Sequence, residues 1–510
     1  MATDLDRRPF LGVDIGTFEA KGVLVGADGS VLARARRRHG LLTPQEGHVE
    51  HDPEAVWWDG LRTIVGELLT HPRAAEGLRA IGVSGIGPCV LPVDADLVPL
   101  RTAILYGIDS RASAQVEQLT ARIGADEVFR RCGNQLTSQS AAPKIAWLRD
   151  EEPEVWANAR WFLTCQSFLV ARLTGEVVID HATAGYFHPI YDLTANRWNL
   201  TDCEDVVDEA RLPRLAWSAE IAGTVTPAAS TATGLPVGTP VIVGTADAPA
   251  EAVAAGVLEP GAVMAMYGSS GFAIRVGSEP LTDPALWAAP YVFPGTTVLA
   301  AGIATSGTAT RWVADLLGLV GEDDTQTFGR LLALAAQAPP GSDGLLVLPH
   351  FSGERTPFHD PLSRAAVVGL GLRHGRPHLA RAVLEGVAHA TAAALGAYAA
   401  AGAPVTRVAA IGGGTKNGIL LRSVSAITGI SQTPIDSDGA ALGDAALAAL
   451  AVGAVSSPAG LASWVRSRPV VEPDPGLAAV LVPDQERFLD LYAALLGWRT
   501  GQHRVPPQGV

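Results

Sequence analysis

The chain of 510 residues is 48% hydrophobic, which is more apolar material than one core normally buries, so about two large domains are expected. Its formal net charge of −14, with only 38 Lys and Arg, argues against a surface that binds nucleic acid through clustered cations and favours small-molecule chemistry. The 4 cysteines lie far apart without a CxxC pair, which favours reduced thiols over disulfides or a thiol-bound metal.

The first residues, MATDLDRRPF, lack the apolar core of a signal sequence. No later stretch approaches about 18 uninterrupted apolar residues, because Gly and polar residues interrupt the Ala-rich windows. These features predict a cytoplasmic protein without membrane contact.

The first predicted elements form an antiparallel meander. Residues 10–15 and 22–26 are apolar runs joined by a turn at Gly16 and Thr17, and the turn ADGS leads into a third strand from Val31. A glycine-rich turn beside an N-terminal strand is typical of nucleotide folds, yet neither GxGxxG nor GxxxxGK[ST] is present. Another phosphate-binding device is therefore needed.

Asp14 ends the first of these strands, directly before the turn. A carboxylate there can hold a hydrated magnesium ion, while backbone N–H groups and the Thr17 hydroxyl meet phosphate oxygens and Lys21 supplies a countercharge. A structural alternative stays open, in which Asp14 only caps a tight turn and Lys21 extends into solvent.

Helical and strand patterns alternate through the following segment. A helix is predicted around 53–70, a strand at AIGVSGIG and another helix from about Ser110, which is typical of α/β domains whose sheets are covered by helices. The turn-rich stretch GLPVGTPVIVG predicts a domain boundary near 236–244.

The strand in PVIVG is followed by TADAPAEAVAAG, which places Asp247 at the carboxyl end of a strand. Ligands of α/β sheets collect at such ends, so Asp247 is suited to take a proton from a bound hydroxyl as a general base. The alternative is a helix N-cap, because Ala248 and Pro249 suit a first helical turn.

A second meander is predicted at 261–276. The stretch GAVMAMYGSSGFAIRV indicates a strand, a Gly-Ser-Ser-Gly turn and another strand, again with small hydroxyl residues at the bend. Two such units, far apart in one chain, favour an old duplication.

The last predicted elements are a long helix over 377–402 that opens with Pro377, a strand at RVAAIGGG and a helix that ends near Gly429. Three glycines in AIGGGTKNG allow a ring or phosphate to approach the backbone, and Asn417 could then bind a nucleotide. A plain strand-to-helix turn is the alternative. The final residues, HRVPPQGV, are predicted to be disordered.

Together and in this order, these stretches resemble the FGGY family of carbohydrate kinases, from about residue 10 to about 452. GVDIGTFEAKGVLV and MYGSSGF resemble its two phosphate motifs, GTADAPAEAVAAG the stretch with the catalytic aspartate, and AIGGGTKNGILLRSVSAITG the adenosine motif. FSGERTPFHDPLSRAAVVGLGLRHGRPHLARAVLEG resembles the long family signature, and PKIAWLRDEEPEVW and FLVARLTGE two further blocks. Several ordered matches are more specific than any one of them, which weakens the structural alternatives.

The resemblance implies an α/β fold of two actin-like, ribonuclease-H-like domains with a catalytic cleft between them. Residues 1–240 would form a sugar-binding N-terminal domain and residues 241–490 an ATP-binding C-terminal domain. Residues 491–510 would be a C-terminal tail.

The resemblance also implies roles for single residues. Asp14 would help to hold Mg²⁺, and Asp247 would contact the sugar and deprotonate its attacking hydroxyl. ATP would be bound by Thr17, Lys21, Gly268, Ser269, Gly307, Gly413 and Asn417.

The substrate is less defined. Xylulose kinases of this family usually show a Gly-Gln-Met-His-Gly run, whereas the corresponding stretch here, SGIGPCVLPVD, has Pro88 and Cys89 in that slot, which are poorer hydrogen-bond donors. The block AILYGIDSRA resembles the family's Trp-Asn-Asp-Gly-Arg region with one additional residue. Tyr106, Asp109 and Arg111 are therefore candidate sugar contacts beside Cys89, and Asp109 is alternatively a helix N-cap.

These inferences predict an ATP- and Mg²⁺-dependent kinase of a ketopentose, with xylulose as the first candidate. Kinases of the ribulose, fuculose, glycerol or erythritol type are alternatives, as is a catalytically silent sugar-binding regulator of the same fold. The presence of Asp14 and Asp247 argues against a silent regulator. The expected partners are a small sugar and ATP rather than nucleic acid, and a homodimer is one option for assembly.

Overall fold

The computed structural model describes residues 7–500. The chain forms two compact units and passes between them more than once. Of the described residues, the first unit contains 7–260, 276–299 and 437–466. The second contains 261–275, 300–436 and 467–500.

The first unit is built on a seven-stranded sheet. Its main path has the order Ile221–Thr224, Pro240–Ile242, Ala80–Gly85, Phe10–Ile15, Glu19–Val25, Val31–Arg38, and Thr245–Ala246 pairs with Ala80–Gly85 off this path. The three N-terminal strands are antiparallel neighbours, which confirms the predicted meander. In this register Asp14 lies opposite Lys21 on one side and Ser84 on the other.

Helices and short strand pairs surround this sheet. The strand pairs join Glu50–His51 with Ala103–Ile104, Leu91–Val93 with Trp161–Leu163, Val178–Asp180 with Arg214–Ala216, and Tyr191–Asp192 with Arg197–Trp198. The helical segments are Pro53–Trp58, Asp59–Leu68, Pro72–Glu76, Ser113–Ile123, Ala125–Cys132, Ala142–Glu151, Pro153–Asn158, Cys165–Thr174, His181–Ala184, Glu209–Arg211, Pro227–Thr233, Asp247–Ala254, Ala440–Ala451 and Pro458–Trp464. The helix predicted around 53–70 is thus confirmed as two consecutive segments.

The helix Ala440–Ala451 packs directly onto the central strands through glycines. A Cβ atom added to Gly12 would lie 1.8 Å from the carbonyl oxygen of Ala441, and one added to Gly82 would lie 2.1 Å from that of Asp444. This close approach carries Asp444 to the strand ends that bear Asp14 and Ser84.

The second unit contains most of a six-stranded sheet, in which the strand order is Trp287–Pro290, Thr297–Ile303, Gly271–Gly277, Ala262–Tyr267, Arg407–Ile411, Gln432–Pro434. Ala262–Tyr267 is antiparallel to Gly271–Gly277, which confirms the second meander. Leu346–Leu348 and Ala366–Val368 form a separate pair. The helical segments are Gly307–Leu316, Asp324–Ala335, Pro340–Gly344, Arg376–Ala400, Gly413–Lys416, Gly418–Thr428 and Pro475–Thr500.

The ends of the two units differ from the sequence-based boundaries. The predicted boundary near 236–244 lies inside the first unit, which the chain first leaves after Pro260. Residues 491–500, predicted as tail, instead continue the helix Pro475–Thr500. They are held there because Tyr492 and Arg499 both bind the Asp360 carboxylate. The predicted disordered segment 503–510 lies outside the described residues.

Two simpler expectations can also be compared with the structure. All four cysteines are buried and free, as predicted for reduced thiols. Among residues 7–500, no helix is long and apolar enough to cross a membrane.

Candidate active site

Buried carboxyl groups gather at the strand ends of the first unit. Ser84 Oγ lies 3.0 Å from Asp14 Oδ1 and 2.7 Å from Asp444 Oδ2. A hydroxyl carries one proton and can donate to only one of these oxygens, so the other carboxyl group must be protonated and donate to Ser84. Asp444 is fully buried, and this burial raises its pKa well above the usual value. Asp444 is therefore the neutral member, and Ser84 donates to Asp14.

Asp14 is itself almost fully buried, and burial raises its pKa to about 6. Its Oδ1 is occupied by Ser84, whereas no hydrogen bond to Oδ2 is found among residues 7–500. One carboxylate oxygen of Asp14 thus remains available for a ligand, next to the turn that starts at Gly16.

Asp247 is the first residue of the helix Asp247–Ala254, and Ala246 rather than Asp247 occupies the N-cap. The Asp247 carboxylate accepts one hydrogen bond, from the N–H of Ala248 at 2.9 Å. Pro249 has no N–H that the carboxylate could accept from, so helix capping does not account for the position of the Asp247 side chain. Burial, and then the charge of Asp14, raise the pKa of Asp247 to about 7. A carboxyl group that titrates near neutrality is suited to act as a general base.

Two acidic residues of this cluster, Glu251 and Asp444, were not predicted. Burial and the neighbouring Asp14 raise the pKa of Glu251 to about 7. Asp444 could have been noticed in the sequence because it is the single acidic residue in the otherwise apolar stretch GAALGDAALAAL. Its significance becomes visible only once that helix is placed on the strands.

The turn after Asp14 is closed by its own backbone. The Gly16 N–H donates to the Glu19 carbonyl at 3.1 Å, and the Thr17 carbonyl faces His51 Nε2 at 3.1 Å. Lys21 is partly exposed and lies 3.7 Å from Glu19. The predicted residues Asp14, Thr17 and Lys21 therefore share one strand–turn–strand, with Lys21 directly opposite Asp14.

Asp109 and Arg111, predicted as sugar contacts, bind one another. The buried Arg111 guanidinium lies 2.7 Å from Asp109 and 2.8 Å from Glu50, and Asp109 also accepts the N–H of Val49 at 2.6 Å. Arg111 Nη1 is buried without a hydrogen-bond partner. The N-cap alternative for Asp109 is wrong, because the following helix starts at Ser113 with Ala112 as its cap.

Asp109 also lines a cavity of about 170 Å³ in the first unit. Lys144 lines the same cavity, donates to the Ser138 carbonyl and has its pKa lowered to about 8 by burial. The sequence block PKIAW contributed only to the resemblance, and Lys144 was not predicted as a site residue. The lining residues are Asp109, Ser110, Ala112, Ser113, Val116, Glu117, Thr137, Ser138, Ser140 and Lys144.

Cys89 and Tyr106 differ in accessibility. Cys89 is fully buried, and its thiol donates to the Ile86 carbonyl at 3.5 Å. Tyr106 is half-buried and lies against Gly87, where an added Cβ would be 2.9 Å from the Tyr106 ring. Tyr106 is thus the more accessible of these two predicted sugar contacts.

In the second unit, the predicted residues Gly268, Ser269 and Gly307 come together. The Gly307 N–H donates to the Gly268 carbonyl at 2.9 Å, and the N–H groups of Ser306 and Thr308 donate to the Ser269 carbonyl. A Cβ on Gly307 would lie 2.7 Å from the Gly268 oxygen, so a glycine is required there.

A cavity of about 310 Å³ adjoins this turn. The Thr305 hydroxyl beside it is buried without a hydrogen-bond partner, and the rings of Trp312 and Phe351 lie 4.6 Å apart at its wall. Polar hydroxyl groups and an aromatic pair are suitable for a phosphorylated ligand with a flat ring. The lining residues are Ser269, Ser270, Ala304, Thr305, Thr308, Trp312, Phe351 and Ser352.

The predicted adenosine residues follow the strand Arg407–Ile411. Gly413 is exposed, with open space where a Cβ would be. Asn417 caps the helix Gly418–Thr428, and its Oδ1 accepts the Leu420 N–H at 3.1 Å. Asn417 therefore has the structural role of a helix N-cap, as the strand-to-helix alternative expects. Its side-chain oxygen is used in this cap, so its amide nitrogen is the atom that could bind a ligand.

Among residues 7–500, no group of three or more His, Cys, Asp or Glu side chains could hold a metal ion. Mg²⁺ commonly keeps several waters and takes only one or two carboxylates together with substrate phosphates. Asp14, with one carboxylate oxygen available, fits that mode of binding by the chemistry of its donor atoms.

Comparison with known proteins identifies both halves of the chain. The model of the FGGY family of carbohydrate kinases, N-terminal domain, matches residues 10–254, and that of the C-terminal domain matches residues 263–452. Xylulose kinase of Escherichia coli is 29% identical over 494 residues, covering 96% of this chain and 99% of that protein. Glycerol kinase of Rhodospirillum rubrum is 30% identical over 481 residues, covering 90% and 94%. The crystal structure of xylulose kinase from Rhodospirillum rubrum superposes with a TM-score of 0.90 at 31% identity, covering 96% and 99%.

Proposed function

The chain belongs to the FGGY family of carbohydrate kinases, and from this premise we propose that it transfers the γ-phosphoryl group of ATP to a hydroxyl of a ketopentose, with xylulose as the first candidate. The observation that carries the proposal is Asp247. Its carboxylate stands at the end of a strand and has one backbone hydrogen bond, and burial raises its pKa to about 7, which suits a general base for a sugar hydroxyl.

In the proposed reaction, Asp247 accepts the proton of the acceptor hydroxyl while that oxygen bonds to the γ-phosphorus. The bond from the γ-phosphorus to the bridging oxygen breaks, and ADP leaves with that oxygen. Because the transition state is loose, positioning and charge stabilisation contribute more than covalent assistance. The proton on Asp247 is then lost to solvent before the next cycle.

Charge on the transferred group would be met by several residues of this chain. We assign Thr17 and Lys21 to the phosphates in the first unit, and Gly268, Ser269, Gly307, Gly413 and Asn417 to the nucleotide in the second. Asp14 would hold Mg²⁺ through water, and the bound ion would supply neutralisation of phosphate charge.

The acceptor sugar is inferred from the relatives and from the predicted sugar contacts. Relatives with the name xylulose kinase favour a ketopentose. A polyol of the glycerol type is the second candidate, because a glycerol kinase is among the relatives and Pro88 and Cys89 stand in the slot where Met-His is usual. Tyr106, Asp109, Arg111 and Cys89 stay predicted sugar contacts, with Asp109 and Arg111 acting as one buried ion pair. A silent regulator is disfavoured by the retained Asp14 and Asp247.

The test is an enzyme-linked assay of ADP release with a panel of xylulose, ribulose, fuculose, glycerol and erythritol at saturating ATP and Mg²⁺. We expect the highest kcat/KM with xylulose. A higher value with glycerol or erythritol would select the polyol alternative. No release with any sugar, together with measurable sugar binding, would select the silent regulator.

A further inference from the structure

We propose that Glu354, which lies in the stretch FSGERTP, is a positioning residue for ATP. It would fix the backbone at the head of the nucleotide cavity, and the C-terminal helix would hold it in place. This inference rests on the proposed function, because it assigns the 310 Å³ cavity of the second unit to ATP.

Glu354 bonds directly to the backbone that enters this cavity. It is nearly fully buried, and its Oε1 accepts the N–H of Ala304 at 2.7 Å and that of Arg355 at 2.8 Å. Ala304 and the following Thr305 both line the cavity. One carboxyl oxygen therefore links the FSGERTP segment to Ala304, where the chain begins to line the cavity.

A second link lies two residues further along. The Thr356 N–H donates to the Gly302 carbonyl at 2.9 Å, and the Gly302 N–H donates to Thr356 Oγ1 at 3.2 Å. Gly302 belongs to the strand Thr297–Ile303, which ends just before Ala304. Glu354 and Thr356 thus hold Ala304 and Gly302, two alternate positions of the chain that leads to the cavity.

The other carboxyl oxygen of Glu354 has no hydrogen-bond partner. Glu354 Oε2 faces His350 Nε2 at 3.7 Å, and both atoms are buried without a partner. Burial raises the pKa of Glu354 to about 7 and lowers that of His350 to about 4. An amide at position 354 could keep the accepting oxygen and also donate to His350, so glutamine is a suitable replacement.

The C-terminal helix holds the same segment from the other side. Glu354 and Asp360 exchange backbone hydrogen bonds of 2.9 Å in both directions. The Asp360 carboxylate in turn binds Tyr492 and Arg499 of the helix Pro475–Thr500, and the His350 ring contacts Phe488 and Tyr492. This helix therefore reaches the nucleotide cavity through Asp360 and Glu354.

The test compares Glu354→Leu, Glu354→Gln and Arg499→Ala with the parent protein, and uses Glu385→Gln as a matched control. Glu385 is another buried acid of the second unit, bonded to Arg381 and Gly341 and not part of the cavity lining. ATP affinity is measured by calorimetry in Mg²⁺ buffer, and KM is measured separately for ATP and sugar. Thermal melting checks that each variant is folded.

Glu354→Leu should weaken ATP binding and raise the KM for ATP about tenfold or more, because one buried hydrogen-bond acceptor is lost, while the KM for sugar stays within about twofold. Glu354→Gln keeps an accepting oxygen at this position, so its ATP affinity should stay within about threefold of the parent value. Arg499→Ala should weaken ATP binding in the same direction, and Glu385→Gln should not.

The inference is overturned if folded Glu354→Leu binds ATP like the parent, or if both KM values rise together. It is also overturned if Glu385→Gln weakens ATP binding as much as Glu354→Leu. If Glu354→Leu does not fold, the decision rests on Glu354→Gln. The inference is then overturned if Glu354→Gln binds ATP as weakly as Arg499→Ala does. Failure of the parent protein to bind ATP would instead contradict the proposed function.

Discussion

At the scale of single residues, the site in the first unit depends on carboxyl groups whose pKa values burial raises. Burial, the largest cause for both, raises the pKa of Asp14 to about 6 and that of Asp247 to about 7. Complete burial raises the pKa of Asp444 well above its usual value. Such perturbed carboxyl groups cluster at functional sites, because catalytic acids and bases need pKa values matched to their task. The proposed base role of Asp247 would require its ionised form despite the cost in stability of burying that charge.

Asp247→Asn should lower turnover about a hundredfold or more while ATP still binds, because the amide cannot accept the hydroxyl proton. The parent rate should rise as pH increases through about 7, since the base must be ionised. Steady-state rates from pH 5.5 to 8.5 and ATP calorimetry measure both effects. Turnover near that of the parent with the identified sugar would remove Asp247 from the base role.

The same substitution should change the pH dependence of stability. The folded pKa of Asp247 is raised above its ordinary value of 3.8 to about 7, so the folded state binds the extra proton more tightly than the unfolded state. Its contribution to stability is then lost as pH rises from about 4 through about 7. Asp247→Asn should therefore increase Tm relative to the parent at pH 8 and much less at pH 5. An equal change at both pH values would contradict this assignment.

Asp444→Asn should be better tolerated than Asp444→Ala. Its amide can donate to Ser84 as the protonated acid does, so the Ser84 bond to Asp14 at 3.0 Å is kept. Asp444→Ala leaves the Ser84 hydroxyl without this buried partner, which costs about 1–3 kcal/mol. Tm and turnover of both variants measure the difference. If Asp444→Asn loses as much as Asp444→Ala, an ionised Asp444 is required.

At the scale of elements, the position of the helix Ala440–Ala451 depends on three glycines. Gly12 and Gly82 lie on the strands beneath it, and a Cβ on Gly443 would be 1.8 Å from the Ala250 carbonyl oxygen of the helix Asp247–Ala254. These close contacts set the distance of Asp444 from Ser84. They also connect the helix that carries Asp247 to the helix that carries Asp444.

Gly82→Ala should destabilise the protein by about 1–3 kcal/mol, because its methyl group would lie 2.1 Å from the backbone oxygen of Asp444. Gly66→Ala is the matched control. Gly66 lies within the helix Asp59–Leu68 with nothing within 4 Å of its Cβ position, so alanine should be neutral or slightly stabilising. Chemical denaturation of both variants compares them. A similar loss for both would show that the helix can move away from the strands.

At the scale of the whole molecule, local patterns could be predicted and long-range placement could not. Both meanders and the helix at 377–402 follow from apolar periodicity and turn residues within one segment. The Asp109–Arg111–Glu50 ion network joins residues from separate segments, which periodicity does not encode. Asp444 belongs to the first unit although it follows most of the second in sequence. A boundary drawn at one point along the chain cannot describe this arrangement.

This arrangement has a direct consequence for folding. A fragment that ends at residue 299 contains the central strands of the first unit but lacks residues 437–466. The helix Ala440–Ala451 would then be missing, and the apolar surface around Gly12 and Gly82 would be exposed to water. We expect fragment 1–299 alone to show no cooperative thermal transition by circular dichroism. Co-expression with a separate chain of residues 437–466 should restore one, whereas residues 376–400, an Ala-rich helix of the second unit, should not. A sharp transition in fragment 1–299 alone would mean that its own strands and helices are enough for cooperative folding. The helix Ala440–Ala451 would then only add Asp444 to a unit that is already folded.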